Sequence, residues 1–580
     1  MSYSFNGTAQ GVNPNLKKQN EHKPNLDSIN KASNDTIKSS DKNINNEFDD
    51  FVKKANEEFA KTQKSDNAEF EDFVKKANEK FDKVRDSINK EFEVAVKKAD
   101  NEFNAYLRET WKSFEKYEGL KPERNHNPNE IPSFNPSDKV RENEIIPSQI
   151  PPKDSSLFEP TILPVIPQQK IPKERERSAR FIFYGSANEV NYDENMLSAL
   201  KTTAISNTSI ANAWKSLCET RYATLINKLT DFKLKMNLND WGYYLLVDKL
   251  SHSLTTVENE KALLNWFLLA KSGYNVRIGY ENNELCLLLP IRQIVFGTPY
   301  FILNGLKYYN MEKKATNELQ TYDGKNYADA YKIFDMNIYS PLLLEEEMGK
   351  KQLNVFSYDK QTYNMSVPYN LNLIKFYNDY PLCEMSVYMN TPLSSFTLTN
   401  LWAEFKPYFQ NHSDTEQVKL LLNFTQFAFD YKDDLEYHGR EKYYFPDELF
   451  YYDFSDCEDR AALFAALIRH FTDFDVIGLE YDIHMATAVA FKDKITGSNI
   501  QYNNTKYTVC DPTYIGASIG AAMPRFEKSP FKIVPAGRNH NLQKTKDNLW
   551  GNIASGGGYR GDCNFDMAPD SKGNLCATGY

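Results

Sequence analysis

Phenylalanine recurs every 11 residues in the N-terminal part of the chain, and this spacing restricts the local structure more than any other feature. Eleven residues make three turns of an α-helix at about 3.67 residues per turn, so rings with this spacing lie on one side of a helix. The pattern predicts a single helix over residues 47–118, about 110 Å long at a rise of 1.5 Å per residue. The recurring rings are Phe48, Phe59, Phe70, Phe81, Phe92, Phe103 and Phe114.

The apolar stripe of this predicted helix needs a covering surface, and three coverings are compatible with the sequence. A second copy of the chain is one of them, because an 11-residue period favours a straight or slightly right-handed coiled coil. A membrane surface and another part of the same chain are the other two. The polar face mixes Lys with Glu and gives no strong preference for anionic lipid, so we favour a stalk that self-associates or binds a partner protein.

The segments on either side of the helix lack the composition of a packed core. Residues 1–46 are rich in Asn, Lys, Ser and Asp and have few aliphatic side chains. They bury too little surface to offset the entropy lost on ordering, which predicts disorder. Residues 119–180 are dense in proline, which predicts an extended, locally stiff linker.

Cys457 lies in the sequence segment S-D-C-E-D-R-A-A-L-F-A-A-L-I-R-H. Ser455 followed by Glu458 is a capping-box pattern, and apolar residues then recur at helical spacing, so Cys457 is predicted in the first turn of a buried helix. The helix dipole and the unpaired N–H groups there favour the thiolate, the form of cysteine that attacks a carbonyl carbon. We interpret the neighbouring charges as helix-start charges without a role in the chemistry; they are Asp456, Glu458, Asp459 and Arg460.

A nucleophile needs a base and a group that orients the base, and both follow in the sequence. His484 begins the apolar, strand-like run H-M-A-T-A-V-A-F, and Asp511 follows the strand predicted over Tyr507 to Cys510. Histidine and aspartate at the ends of two successive strands can converge on a cysteine at a helix start. Gln426, in the preceding predicted helix, is a candidate donor for the oxyanion, together with the backbone N–H of Cys457.

The three motifs D-C-E-D-R-A, H-M-A-T-A-V-A-F and D-P-T-Y together resemble the transglutaminase-like branch of the papain-like cysteine peptidase superfamily. The resemblance implies a triad in which Cys457 is the nucleophile, His484 the general base and acid, and Asp511 the group that fixes the imidazole tautomer. It also implies a helix packed on an antiparallel sheet, a protein or peptide substrate, and either hydrolysis or amide transfer to an amine. The words D-P-T-Y-I-G-A-S-I-G-A-A-M-P are similar to those of a set of large bacterial proteins with this domain.

The rest of the chain divides by pattern, and the predicted fold class is α+β. Residues 181–306 form a predicted α/β domain, in which Asn237 to Phe301 repeat the helix, turn and strand plan of the cysteine region. Because Asn259 falls close to the place of Cys457 and no His begins the next strand, we interpret this domain as a degenerate, inactive copy; an unrelated helix and strand is the alternative. Residues 307–398 predict a β-rich domain, residues 399–527 the catalytic domain, and residues 528–580 an irregular tail.

Bulk properties exclude some functions. A net charge of −10 and a pI near 5.5 argue against nucleic acid as the main partner. No apolar run is long enough to span a bilayer. We expect no cofactor, since the sequence has neither a calcium loop nor zinc-ligand spacing. The first residues lack a signal peptide, so we expect a cytoplasmic protein, or a periplasmic or secreted one if a leader has been removed.

Two further questions stay open from the sequence. Cys563 and Cys576 lie in a glycine-rich end, where a loop disulfide and two free thiols are equally compatible with the residues. The alternative to an enzyme is a scaffold or binding protein, in which the long helix acts as the working part and the triad domain is inactive.

Overall fold

The computed structural model describes residues 53–54, 67–115, 117–122, 133–135, 140–149, 169–311 and 318–537, and the backbones of 565–569 and 575–579. The predicted disorder of residues 1–46, the first two phenylalanines of the repeat and Cys563 lie outside the described residues. Within them, no helix is both long and apolar enough to cross a bilayer.

Helices and mainly antiparallel sheets alternate along the chain, which confirms the α+β class. The helices are α1 Asn67–Glu109, α2 Asn195–Ala199, α3 Asn207–Cys218, α4 Tyr222–Lys235, α5 Asp240–Leu254, α6 Glu258–Lys271, α7 Leu371–Asn378, α8 Met385–Asn390, α9 Ser395–Phe409, α10 Asp414–Phe427, α11 Asp434–Tyr437 and α12 Cys457–Phe471.

The strands are β1 Trp111–Glu115, β2 Asn143–Glu144, β3 Glu176–Phe183, β4 Ser186–Asp193, β5 Arg277–Glu281, β6 Glu284–Pro290, β7 Tyr300–Leu303, β8 Leu306–Asn310, β9 Glu318–Tyr322, β10 Met348–Gln352, β11 Phe356–Tyr358, β12 Gln361–Tyr363, β13 Ser366–Asn370, β14 Asp430–Tyr431, β15 Phe454–Ser455, β16 Asp475–Tyr481, β17 Met485–Ala490, β18 Ser498–Tyr502, β19 Thr505–Cys510, β20 Phe531–Ala536, β21 Phe565–Pro569 and β22 Leu575–Gly579.

The chain forms two compact units, each of them discontinuous in sequence. The first unit contains Met1–Leu120 and Thr161–Asp335, and the second contains Lys121–Pro160 and Met336–Tyr580. Each unit therefore takes one piece from the N-terminal region and one piece from the body of the chain. The predicted catalytic residues all belong to the second unit.

The long predicted helix is shorter than expected at its C-terminal end. It ends at Glu109, and residues 111–115 form strand β1 instead of the last turns of a helix. Side chains satisfy the last carbonyl groups, because Thr110 Oγ1 donates to the carbonyl of Tyr106 and Trp111 Nε1 donates to that of Leu107. Phe103, one of the recurring rings, is buried with its centroid 4.8 Å from the Trp214 ring, so this end of the stripe is covered by the first unit itself.

The first unit is built on a six-stranded sheet in the order β1-β9-β5-β6-β8-β7, with α6 packed on β5 and β6. The segment that begins with β1 also reaches the opposite edge of the sheet. Tyr117 pairs with Tyr300 of β7, while β1 itself pairs with β9. Residues 111–117 therefore close the sheet into a barrel-like structure.

The second unit has a sheet in the order β2-β18-β19-β17-β16-β20, with α12 packed on β16 and β17. Residues 143–149, predicted as part of a linker, contribute to this sheet. Asn143 and Glu144 pair in parallel with β18, Gln149 pairs with Lys532 of β20, and Ile145 is buried in the core. This part of the proline-rich segment is therefore a closing strand and not a free linker.

Two other expectations from sequence differ from the structure. Strands β8 and β9, expected in a separate β-rich domain over residues 307–398, belong to the sheet of the first unit. The remainder of that segment forms the two-stranded pairs β10–β13 and β11–β12 and the helices α7 and α8. The tail expected to be irregular from residue 528 supplies β20, an edge strand that pairs with β16 along its whole length.

The main sheets of the two units share one connectivity. In each unit a helix is followed by a β-hairpin and then by a second β-hairpin. The later strand of the second hairpin pairs with the later strand of the first. A last strand pairs with the earlier strand of the first hairpin, on its other side. The matching strand orders are β9-β5-β6-β8-β7 and β20-β16-β17-β19-β18, and all of these pairs are antiparallel. Gly279 and Gly478 occupy the same place, since each pairs across the hairpin at the matching register. This agreement supports the interpretation of the first unit as a second copy of the catalytic plan.

Candidate functional site

Cys457 is the first residue of α12, close to its predicted place in the first turn of a buried helix. The residue that begins the helix differs from the prediction. Asp456 is the N-cap, and its backbone N–H donates to Asp459 Oδ2 at 3.1 Å, whereas Ser455 belongs to the short strand β15. The reciprocal pattern of cap and third residue is thus shifted by one position, because pairing of β15 with β14 keeps Ser455 extended.

His484 and Asp511 meet at the ends of two adjacent antiparallel strands. His484 immediately precedes β17, Asp511 immediately follows β19, and these strands pair through Thr487 and Cys510. His484 Nε2 lies 2.8 Å from Asp511 Oδ2, and both side chains are buried. Because the carboxylate accepts the Nε2 proton, it leaves Nδ1 as the imidazole nitrogen with a free lone pair.

The surroundings of this pair fix its geometry. Asp511 Oδ1 accepts hydrogen bonds from the backbone N–H groups of Thr513 and Tyr514 at 3.0 and 3.1 Å. The His484 ring stacks on Phe526 with a centroid distance of 4.9 Å and an interplanar angle of 10°. The loop after β19 therefore holds the carboxylate, and an aromatic face covers one side of the imidazole.

The topology brings Cys457 to the same end of the sheet as His484. Helix α12 is about 22 Å long and β16 about 23 Å long, and a connection of only three residues joins them. Because α12 packs along β16 and β17, its first turn lies towards the β16–β17 hairpin, where His484 immediately precedes β17. The first turn of α12 and the His484–Asp511 pair thus lie towards the same end of this sheet.

In the first unit the helix that corresponds to α12 contacts its hairpin directly. Asn259, in the first turn of α6, donates from Nδ2 to the carbonyl of Asn283 at 3.0 Å and accepts from the N–H of Leu285 at 2.8 Å. Asn283 lies three residues before Cys286, the partner of Gly279, just as His484 lies three residues before the partner of Gly478. In the first unit the first turn of the helix therefore touches the hairpin at the position that corresponds to His484.

Gln426 does not have the role expected from sequence. Its Nε2 donates to the carbonyl oxygens of Asp511, Tyr514 and Ala517 at 3.0, 3.0 and 3.1 Å, and its Oε1 accepts from the N–H of Gly516 at 3.2 Å. An amide with its donors already used cannot also stabilise an oxyanion. Gln426 instead anchors the loop that carries Asp511 to helix α10.

Arg460 extends this anchor to the cysteine helix, and its role was missed in the sequence. The buried guanidinium donates to the carbonyls of Gln426 and Phe429 at 3.2 and 2.8 Å, and to Ser455 Oγ at 3.2 Å. Burial lowers the pKa of Arg460 to about 10. Because Arg460 lies one turn after Cys457, hydrogen bonds connect helix α12 to the Asp511 loop through a single residue, Gln426.

No family model, curated protein or solved structure matches this chain.

The acidic residues around Cys457, interpreted from sequence as helix-start charges, are buried in the structure. Asp456, Glu458 and Asp459 are all at most 1% exposed. Cys457, itself 6% exposed, donates from Sγ to Glu458 Oε2 across 2.8 Å. The sulfur thus contacts an ionisable group directly. The sequence C-E-D shows that acidic residues follow Cys457, but only the burial of these residues in the structure distinguishes this arrangement from a solvated helix start.

Two electrostatic effects on the thiol oppose each other here. The positive end of a helix favours an anion by roughly 0.3–2 kcal/mol. A carboxylate about 4 Å away disfavours it by about 4 kcal/mol at an effective dielectric constant of 20. If the acids beside Cys457 carry charge, they outweigh the helix dipole and keep the thiol neutral.

Burial brings two acids of this region, Asp434 and Asp459, towards the protonated form. Desolvation, followed by repulsion from Asp459 and Glu458, raises the pKa of Asp434 to about 10. Desolvation and Glu458 likewise raise the pKa of Asp459 well above its ordinary value. Carboxyl oxygens of Asp434, Glu441 and Glu458 lie within 4.8 Å of one another, the spacing of a cation site.

Proposed function

We propose that this protein is a cysteine-dependent acyl-transfer enzyme that acts on a protein or peptide, most simply as a peptidase of the transglutaminase-like kind. The observation that carries the proposal is the hydrogen bond between His484 and Asp511 at the edge towards which the Cys457 helix begins. A buried acid that fixes an imidazole tautomer beside a cysteine is the arrangement that nucleophilic catalysis by a thiol requires.

The chemistry uses each of the three residues in turn. His484 Nδ1 takes the proton from Cys457 Sγ as the sulfur attacks the substrate carbonyl carbon. The developing oxyanion accepts a hydrogen bond from the backbone N–H of Cys457, in the first turn of the helix. The amine leaves with a proton from the imidazolium, and water then attacks the thioester with His484 as base.

Labelling of the cysteine tests the proposal. A peptide-like electrophile that mimics the substrate carbonyl should modify Cys457, and Cys457→Ala should abolish the modification as read by mass spectrometry. Cys383→Ala is the matched control, since Cys383 is also a buried thiol of the second unit and burial raises its pKa. Modification of other cysteines with Cys457 unreactive would contradict the assignment.

The acceptor of the acyl group distinguishes hydrolysis from amide transfer. Both reactions pass through the same acyl-enzyme on Cys457, and they differ only in whether water or an amine resolves it. A glutamine-containing peptide incubated with and without a primary alkylamine separates them. Product that carries the amine indicates a transamidase, whereas free acid in both reactions indicates a hydrolase.

A second candidate function is that of a scaffold built on helix α1. Among the described side chains of α1, three large apolar ones are exposed, Phe81, Val84 and Val94, with fractions of 51%, 39% and 66%. These are large apolar side chains on a long helix of mixed charge, as a helix with a partner helix would have. Sedimentation of the full chain and of a Phe81→Glu, Val84→Glu variant tests this role. A monomer in both cases would remove self-association.

A further inference from the structure

The contact between Cys457 and Glu458 joins two residues that are adjacent in the sequence. Neighbouring side chains on a helix point in different directions, so adjacent residues rarely face each other. Here Glu458 Oε2 nevertheless lies 2.8 Å from the sulfur, and Glu458 is completely buried. Because the side chain is enclosed, the carboxyl group stays near the sulfur and does not turn to solvent.

Groups from three elements face Glu458. Asp434 of α11 and Glu441 of the following loop place carboxyl oxygens within 4.8 Å of its own. Asp459 follows Glu458 on α12, and the hydroxyl of Tyr431, from β14, also interacts electrostatically with Glu458. The nearby ammonium group of Lys442 pairs with Glu448 at 2.6 Å. The surroundings of Glu458 are therefore dominated by acids.

We propose that Glu458 is a positioning residue that holds the Cys457 thiol protonated in the free protein by accepting its hydrogen bond. This proposal rests on the proposed function and deepens it. In the working step the S–H bond breaks and the proton moves to Nδ1 of His484, so that the sulfur leaves Glu458 as it attacks. The free protein thus keeps its nucleophile neutral until a substrate is in place.

The pH dependence of alkylation tests this assignment without any need for turnover. Full-length protein is treated with iodoacetamide between pH 6 and pH 10, and modification of the Cys457 peptide is followed by mass spectrometry. In the wild-type protein we expect the midpoint of the rate above the ordinary thiol pKa of about 8.5. A midpoint at or below that value overturns the proposal, and this result needs no variant.

Three variants separate charge from structure. Glu458→Gln keeps the shape and removes the charge, so its midpoint should fall by about one pH unit, a roughly tenfold faster reaction at pH 7. Glu458→Asp keeps the charge and should remain closer to the wild type. Glu436→Gln removes an exposed carboxylate of the same region, paired with Lys432, and should change nothing. A midpoint that is unchanged or raised in Glu458→Gln overturns the proposal.

The outcome is independent of whether the chain is an enzyme. If no substrate is turned over but the Glu458→Gln shift appears, the control of the thiol stands and the acyl-transfer function fails. If turnover depends on Cys457 but the shift is absent, the enzyme stands and Glu458 has no role in holding the proton.

Discussion

Replacing Gln426 by leucine tests whether this side chain anchors the loop that carries Asp511. Its amide makes four contacts with the backbone of residues 511–517, at 3.0, 3.0, 3.1 and 3.2 Å. One N–H is shared between two carbonyl groups, because the amide has two hydrogens and three acceptors, so we count three full hydrogen bonds. At about 1 kcal/mol each, the substitution should destabilise the loop by about 3 kcal/mol.

Hydrogen exchange read by mass spectrometry measures this effect locally. Since 1.4 kcal/mol is a factor of ten, exchange in residues 511–517 should accelerate by about two orders of magnitude in Gln426→Leu. Gln417→Leu is the matched control on the same helix. Gln417 is similarly buried and donates to the carbonyls of Phe409 and His412, both at 3.1 Å. Unchanged exchange in 511–517, or equal acceleration in both variants, would refute the anchoring role.

Three further outcomes follow from the second unit. Ile145→Ala should destabilise the second unit by about 2–5 kcal/mol and so accelerate hydrogen exchange in β18 and β20. Ile146→Ala, at a side chain that is 79% exposed, should have little effect on this exchange. Equal effects of the two variants would contradict the closing strand. Gly478→Ala should cost about 1–3 kcal/mol, because an added Cβ would overlap the side-chain ends of both Met485 and Met389 and would lie 3.0 Å from the Cβ of Val534, and an unchanged melting temperature would contradict this. Because the pKa of Asp434 is raised, the stabilising effect of this side chain is full in acid and is lost as the pH rises towards about 10. The melting temperature of Asp434→Asn should therefore rise relative to that of the wild type between pH 5 and pH 9. A difference in melting temperature that does not change with pH would contradict the raised pKa.

Local sequence signals predict the parts of the site that depend on local structure. The helical spacing after Cys457 and the alternation around His484 and Asp511 are properties of short segments, and these segments form α12, β17 and β19. The hydrogen bond between His484 and Asp511 follows once the two strands are neighbours. The sequence also shows a repeat of this arrangement near Asn259, because the order of helix, turn and strand is the same there although the cysteine is absent.

The remaining features depend on contacts that are distant in sequence. Nothing in the proline-rich text around Ile145 indicates a strand, because its partners lie in β18 and β20. The burial of Glu458 and Arg460 is equally invisible, since charged residues at a helix start are normally solvated. Met385–Asn390 lie in the segment 307–398, which was expected to be β-rich, yet they form helix α8, packed on α12 and β20.

The closing strand of the second unit has a consequence for biosynthesis. Ser148 donates to the carbonyl of Phe531, a residue that the ribosome adds 383 positions later. At a synthesis rate of about 5–20 residues per second, roughly 20–80 s pass between the translation of Ser148 and that of its partner strand. During that interval Ile145, which is buried in the folded unit, lacks the sheet that covers it, so chaperone capture of nascent chains should concentrate there.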